Sequence, residues 1–157
     1  MSRGAHALAA GPMTVISANF GASTVATAAT VGVRLPAVVP QLAMVRALTD
    51  TVCLVADFPL DAAADIRLAV NEIATVLIRE AVAGATLECE FTYSDDRMTV
   101  RASTITETEV EFSRHSLGWE LVRMLASSAR SSTGPFETWA HGYPTVIEFS
   151  WERGTSA

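Results

Sequence analysis

The chain has 157 residues and a net charge of −6, and its eleven basic residues are all arginine. That length fits one domain, and an apolar half is enough for a core. An acidic chain without a basic cluster is a poor nucleic-acid binder, because neutralising phosphates needs clustered Lys and Arg. No apolar run approaches the roughly 18 residues of a membrane span. The acidity suits a positively charged partner, and equally suits simple solubility.

Residues 1–30 are rich in Ala, Thr, Ser and Gly, with Arg3 as their one formal charge. They show no helical or strand period that could bury a face, so a mobile tail or an over-extended start is expected. A secretory signal fits less well. Gly11-Pro12 breaks the apolar stretch from Ala5 to Ala18, and a single basic residue precedes it. The domain is expected over residues 31–152, with 153–157 as a second tail.

Val31 to Pro36 alternates and is β-branched, as a first strand would be. A helix is expected from Gln41, with Leu42, Val45, Leu48, Val52 and Val55 at spacings of three and four. Pro59 stops it. Asp61 can cap the next helix, and Asp65 sits near its positive end. There Ile66, Ala69, Val70, Ile73, Leu77 and Ala81 form the clearest apolar stripe of the chain, and Gly84 marks its end.

Thr86 to Tyr93 and Met98 to Ser103 read as a hairpin joined by Ser94-Asp95-Asp96-Arg97. Leu87, Cys89, Phe91 and Tyr93 alternate with Glu88, Glu90 and Thr92, giving one buried and one wet face. Residues 104–115 are polar and irregular. A helix is expected from about Ser116 to Ala129, then a loop from Ser131 to Pro135. Glu137 to His141 and Thr145 to Trp151 read as strands around a Gly142-Tyr143-Pro144 turn. The order is β-α-α-β-β-α-β-β, which implies an α+β sandwich of two layers. Cys53 and Cys89 lie in apolar segments without a CxxC or a nearby His, so buried free thiols in a reducing compartment are expected. His6, His115 and His141 are far apart and give a metal site little support.

The segment DIRLAVNEIATVLIREA, Asp65 to Ala81, resembles the first nucleotide-site helix of the GHKL ATPases, in the form found in RsbW- and SpoIIAB-type anti-sigma kinases. SLGWELVRML, Ser116 to Leu125, resembles that family's second glycine box, and LAMVRAL around Arg46 resembles its first helix. The likeness covers about residues 31–152 and is strongest to the sigma-F branch. It implies a two-layer α/β sandwich of the GHKL type, with a mixed, mostly antiparallel sheet covered by helices on one face. It implies a cytoplasmic protein that binds ATP and magnesium between helices and sheet, sequesters a sigma factor, and phosphorylates an anti-anti-sigma partner. It also implies a homodimer, and neither nucleic acid nor membrane as a direct partner.

By that resemblance Glu72 stands at the catalytic base, and it lies off the apolar stripe where it could accept a proton. Read without the resemblance it is a solvated helix carboxylate. Val76 stands where the magnesium-ligating Asn should be, and a valine has no oxygen for a hard cation. Asn71 points about 100° away from Glu72 around the helix and cannot simply substitute. The adenine-reading Asp is missing, leaving Ser103 as a weak hydrogen-bonding substitute. No Gly occurs from Ala85 to Leu117, so the first glycine box is absent. Ser116 and Gly118 remain of the second, with Arg114 beside them to pair with a phosphate; the plain alternative is a helix start after a polar loop. Glu107, Glu109 and Glu111 would repel a triphosphate.

These departures lead to an expectation of an anti-sigma factor with a degenerate nucleotide site, released by an anti-anti-sigma antagonist. The alternative is an active serine/threonine switch kinase using Glu72. A scaffold with a different partner is a third reading. The partner-binding residues expected from the resemblance and from an Arg set among apolar neighbours are Leu42, Val45, Arg46 and Asp50.

Overall fold

The computed structural model describes residues 28–110 and 117–154. The strands are β1 (Ala29–Pro36), β2 (Thr86–Tyr93), β3 (Arg97–Thr106), β4 (Ser128–Thr133) and β5 (Tyr143–Glu152). The helices are α1 (Leu42–Val55), α2 (Leu60–Glu80) and α3 (Leu117–Leu125), and a 3-10 turn at Val39–Gln41 leads into α1. The five strands form one sheet in the order β1-β2-β3-β5-β4, and every neighbouring pair is antiparallel. The α+β sandwich is therefore as expected, but the described sheet is wholly antiparallel rather than mixed.

Strand alternation splits the sheet into two unlike faces. Leu87, Cys89 and Phe91 of β2, Met98, Val100 and Ala102 of β3, and Ile147, Phe149 and Trp151 of β5 are buried beneath the helices. The opposite face carries Arg34, Glu88, Glu90, Arg101, Ser103, Arg130 and Glu148, none of them buried. Helix α2 is the centre of the helical layer, touching α1, α3, β2 and β3. Its buried residues are Ile66, Ala69, Val70, Ile73, Ala74, Leu77 and Ile78. Each large fully buried member of such a stripe contributes about 1.5–3 kcal/mol of burial free energy. On α1 the buried stripe is Leu42, Val45, Thr49, Val52 and Cys53; Val55, expected to be buried, is exposed because the helix ends there.

The end of α1 is closed by a Schellman arrangement. Phe58 N–H donates to Cys53 O at 3.0 Å and Asp57 N–H to Leu54 O at 3.1 Å, with Asp57 at φ 54°. Asp tolerates that left-handed backbone better than most residues. Helix α2 starts at Leu60, directly after Pro59, so Asp61 lies in its first turn and accepts from Ala62 N–H rather than capping. Gly84 sits four residues beyond the end of α2, at φ 78° in the turn that Ala85 N–H closes onto Val82 O.

Four further expectations change. Strand β1 begins at Ala29, and Ala29 and Thr30 pair with Tyr93 and Thr92, so the sheet reaches into the segment read as a tail. Strand β3 runs on to Thr106, because Thr104 and Thr106 turn inward and their hydroxyls are bonded there, to Thr86 O and to Thr108 O. Helix α3 ends at Leu125, and Ser128–Thr133 is the edge strand β4 rather than helix and loop. Residues 137–141 form a turn: Gly142 N–H donates to Glu137 O and His141 N–H to Thr138 O, both at 3.4 Å.

Candidate functional site: the groove between the first two helices

Arg46 leaves the exposed side of α1 between the buried Val45 and Thr49. Its Nε donates to Asn71 Oδ1 on α2 at 2.8 Å. One turn further along α1, Asp50 accepts from Arg67 of α2 at 3.2 Å. The two cross-helix bonds hold two guanidinium groups over a groove of about 340 Å³ lined by Arg46, Ala64, Arg67, Leu68 and Asn71. Leu68, in its lining, is 42% exposed. A guanidinium bonded through Nε keeps its terminal N–H donors available for a carboxylate. Chemically the groove offers charged donors beside apolar surface, the composition of a protein-contact anchor.

Of the residues expected at a partner interface, Arg46 lies on the exposed side of α1 and two others are buried. Leu42 and Val45 are 8% and 1% exposed; they face the core, because α1 packs that stripe against α2. Asp50 is exposed and pairs with Arg67, one turn from Asn71 on the facing helix.

The residues expected around a nucleotide are scattered. Glu72 is half-buried on α2, off the apolar stripe. Val76 is packed against the hydrophobic core, and the carboxamide oxygen of Asn71 is already an acceptor for Arg46. Ser103 lies on the outer face of the sheet, in register with Glu88 and Val146, because Ala102 and Thr104 on either side point inward. It is on the wrong side of β3 for a site between helices and sheet. Gly118 is half-buried in the first turn of α3. Arg114 and Ser116 lie outside the described residues. Among the described residues no group of three or more His, Cys, Asp or Glu side chains is placed to hold a metal ion.

Sequence reasoning missed a cluster of hydroxyls under the helices. Thr106 Oγ1 and Thr145 Oγ1 are 2.9 Å apart, and Thr133 Oγ1 is 3.5 Å from Thr145 Oγ1. Thr106 also donates to Thr108 O at 2.8 Å. The available signal was the strand period, which sets Thr104 and Thr106 in line with Val100 and Ala102. Asn71 was also missed as the partner of Arg46, since a contact across two helices has no local signature.

Both cysteines are buried. Burial pushes the Cys53 thiol up to about 11, with the Asp50 charge adding to the effect and Arg67 opposing it. Burial alone pushes Cys89 up to about 12. Neither sits in the electropositive, exposed setting that makes a thiol reactive.

A two-layer α/β sandwich with a paired-arginine groove on its helical side is the class of structure that these residues define. No family model matches the chain. It is similar to the anti-sigma-F factor RsbW of Mycobacterium tuberculosis, in strains CDC 1551 / Oshkosh and ATCC 25618 / H37Rv. In each case the identity is 34% over 91 residues, covering 58% of this chain and 54% of the relative. The chain thus spans about half the length of the curated relatives it matches. The resemblance to RsbW-type anti-sigma factors read from the helix motif is borne out by these relatives. No helix among the described residues is long and apolar enough to cross a membrane.

Proposed function

We propose that this chain is an anti-sigma factor that works by holding a sigma factor through the α1–α2 groove, and that an anti-anti-sigma protein releases it by competing for the same face. The observation that carries the reading is the groove itself. Arg46 is oriented by Asn71 and Arg67 by Asp50, so both cations are preorganised on the helical side of a chain that is similar in sequence to an anti-sigma-F factor. Fixing a side chain before binding lowers the entropy lost on association.

The nucleotide site is read as degenerate. What supports this is the donor set. Val76 presents hydrocarbon, the Asn71 oxygen is committed to Arg46, and Ser103 faces the outer side of the sheet. Phosphoryl transfer depends on a positioned metal and on charge stabilisation at the phosphates, and these residues do not fit such a metal. ATP and magnesium are accordingly not required for the binding function. Homodimerisation and a cytoplasmic location follow from the resemblance alone and are part of the same proposal.

The competing reading is an active switch kinase, and one observation favours it: Glu72 stays off the packed stripe. Thermal denaturation with and without magnesium-ATP separates the two, since a ligand at free concentration L that binds only the folded state stabilises it by RT ln(1 + L/Kd) and so raises the melting temperature. The proposal predicts no shift at roughly millimolar nucleotide. A shift accompanied by phosphate transfer that Glu72→Ala abolishes would establish the kinase instead. Affinity purification from the native host tests the partner: recovery of the chain without any sigma factor would refute sequestration.

A further inference from the structure

We propose that the outer face of the sheet, opposite the helices, carries a second binding site that takes a small planar aromatic anion. The site is a cleft of about 700 Å³, within the roughly 300–1,000 Å³ of small-molecule sites. Its floor is formed by Glu88 of β2, Arg101 and Ser103 of β3 and Val146 of β5, and Trp139 and His141 wall one side.

Three features point to the ligand. The first is Trp139. Its side chain is 78% exposed, yet its indole N–H is held by Glu137 at 3.1 Å, so the ring is oriented before anything binds. An exposed, fixed indole is a stacking surface for another flat ring. The second is charge. The chain as a whole is acidic, but Glu88, the one acid that lines the cleft, is paired with Arg34 at 2.6 Å. Arg101 stands in register between Glu90 and Glu148 and forms no ion pair with any described residue. It leaves a guanidinium open to the cleft and to a bidentate anion. The third is backbone. His141, in the wall, is held at φ 54° by the turn that Gly142 N–H closes onto Glu137 O. Non-glycine residues held in that region cluster at ligand sites.

An inorganic anion would leave the indole unused, and a neutral aromatic would leave Arg101 unmatched. An aromatic carboxylate, sulfonate or phosphate satisfies both. The site is on the other side of the sheet from the α1–α2 groove, so the inference does not depend on the proposed partner.

The test is a titration of the full chain with 2-naphthoate, followed by the indole N–H signals of its three tryptophans. The Trp139 signal is expected to move and saturate, with a dissociation constant at or below ~1 mM. The neutral 2-naphthamide is expected to bind about tenfold more weakly, and Arg101→Ala to lose about tenfold for the naphthoate, as removal of a charge-assisted hydrogen bond would. Arg123→Ala, on exposed α3, is expected to bind like the parent. No saturable change at Trp139, equal affinity for the amide, or an undiminished response in Arg101→Ala would each overturn the site. So would a Trp139 signal that depends on protein concentration and not on naphthoate, which would make the cleft an interface between copies of the chain.

Discussion

Arg153→Ala should destabilise the fold by about 2 kcal/mol, although Arg153 lies at the end of the chain beyond the last strand. Its guanidinium donates to the carbonyls of Ala56 and Asp57, groups that the end of α1 leaves free, and stands 4.5 Å over the Phe58 ring. Two hydrogen bonds from a charged donor are worth about 1.5 kcal/mol each, and the ring contact about 0.5–1 kcal/mol. Against them stands the buried Nε, which has no hydrogen-bond partner and costs about 1–2 kcal/mol in lost hydration. The balance is about 2 kcal/mol, or a melting-temperature loss on the order of 8 °C for a domain of this size. Urea unfolding at unchanged m-value measures it. A change within ~0.5 kcal/mol of the parent would refute the reasoning and return Arg153 to the tail.

Gly142→Ala should cost about 1–3 kcal/mol, because an added Cβ would meet the Thr106 carbonyl oxygen at 2.5 Å; calorimetry would show it, and an unchanged melting temperature would mean that the turn can shift. Arg46→Glu should weaken sigma-factor binding by at least ~100-fold in a titration while moving the melting temperature little, as a charge reversal at a hot spot does. Native Cys53 and Cys89 should react slowly with a disulfide reagent at mildly alkaline pH and quickly once unfolded. Burial holds the folded thiols at about 11 and 12, above the 9.0 of a free thiol. Their stabilising contribution is complete below pH 9 and lost as the pH rises through those folded values, so stability should fall in alkaline solution. A Cys53→Ser, Cys89→Ser variant with the same alkaline loss would contradict it.

The helical layer was legible because Ile66 to Leu77 repeats at helical spacing and nothing interrupts it. The hairpin of β2 and β3 was legible from its alternation. Strand β4 was not, since Ser-Ala-Arg-Ser-Ser-Thr has no apolar alternation and takes its conformation from pairing with β5 at the sheet edge. The stretch 137–141 has strand-like content but is bent by the left-handed His141. Of the candidate site, Arg46 could be placed on its helix from spacing, whereas its bond to Asn71 depends on how two helices cross. The face of Ser103 could have been read from Val100 and Ala102, whose buried positions force it outward.

The most direct measurement is a calorimetric titration of the chain against each purified sigma factor of its host, with and without magnesium-ATP. One of them should bind at one-to-one stoichiometry, with an affinity that the nucleotide leaves unchanged. Binding that appears only when magnesium-ATP is present, or no binding to any of them, would contradict a nucleotide-independent grip.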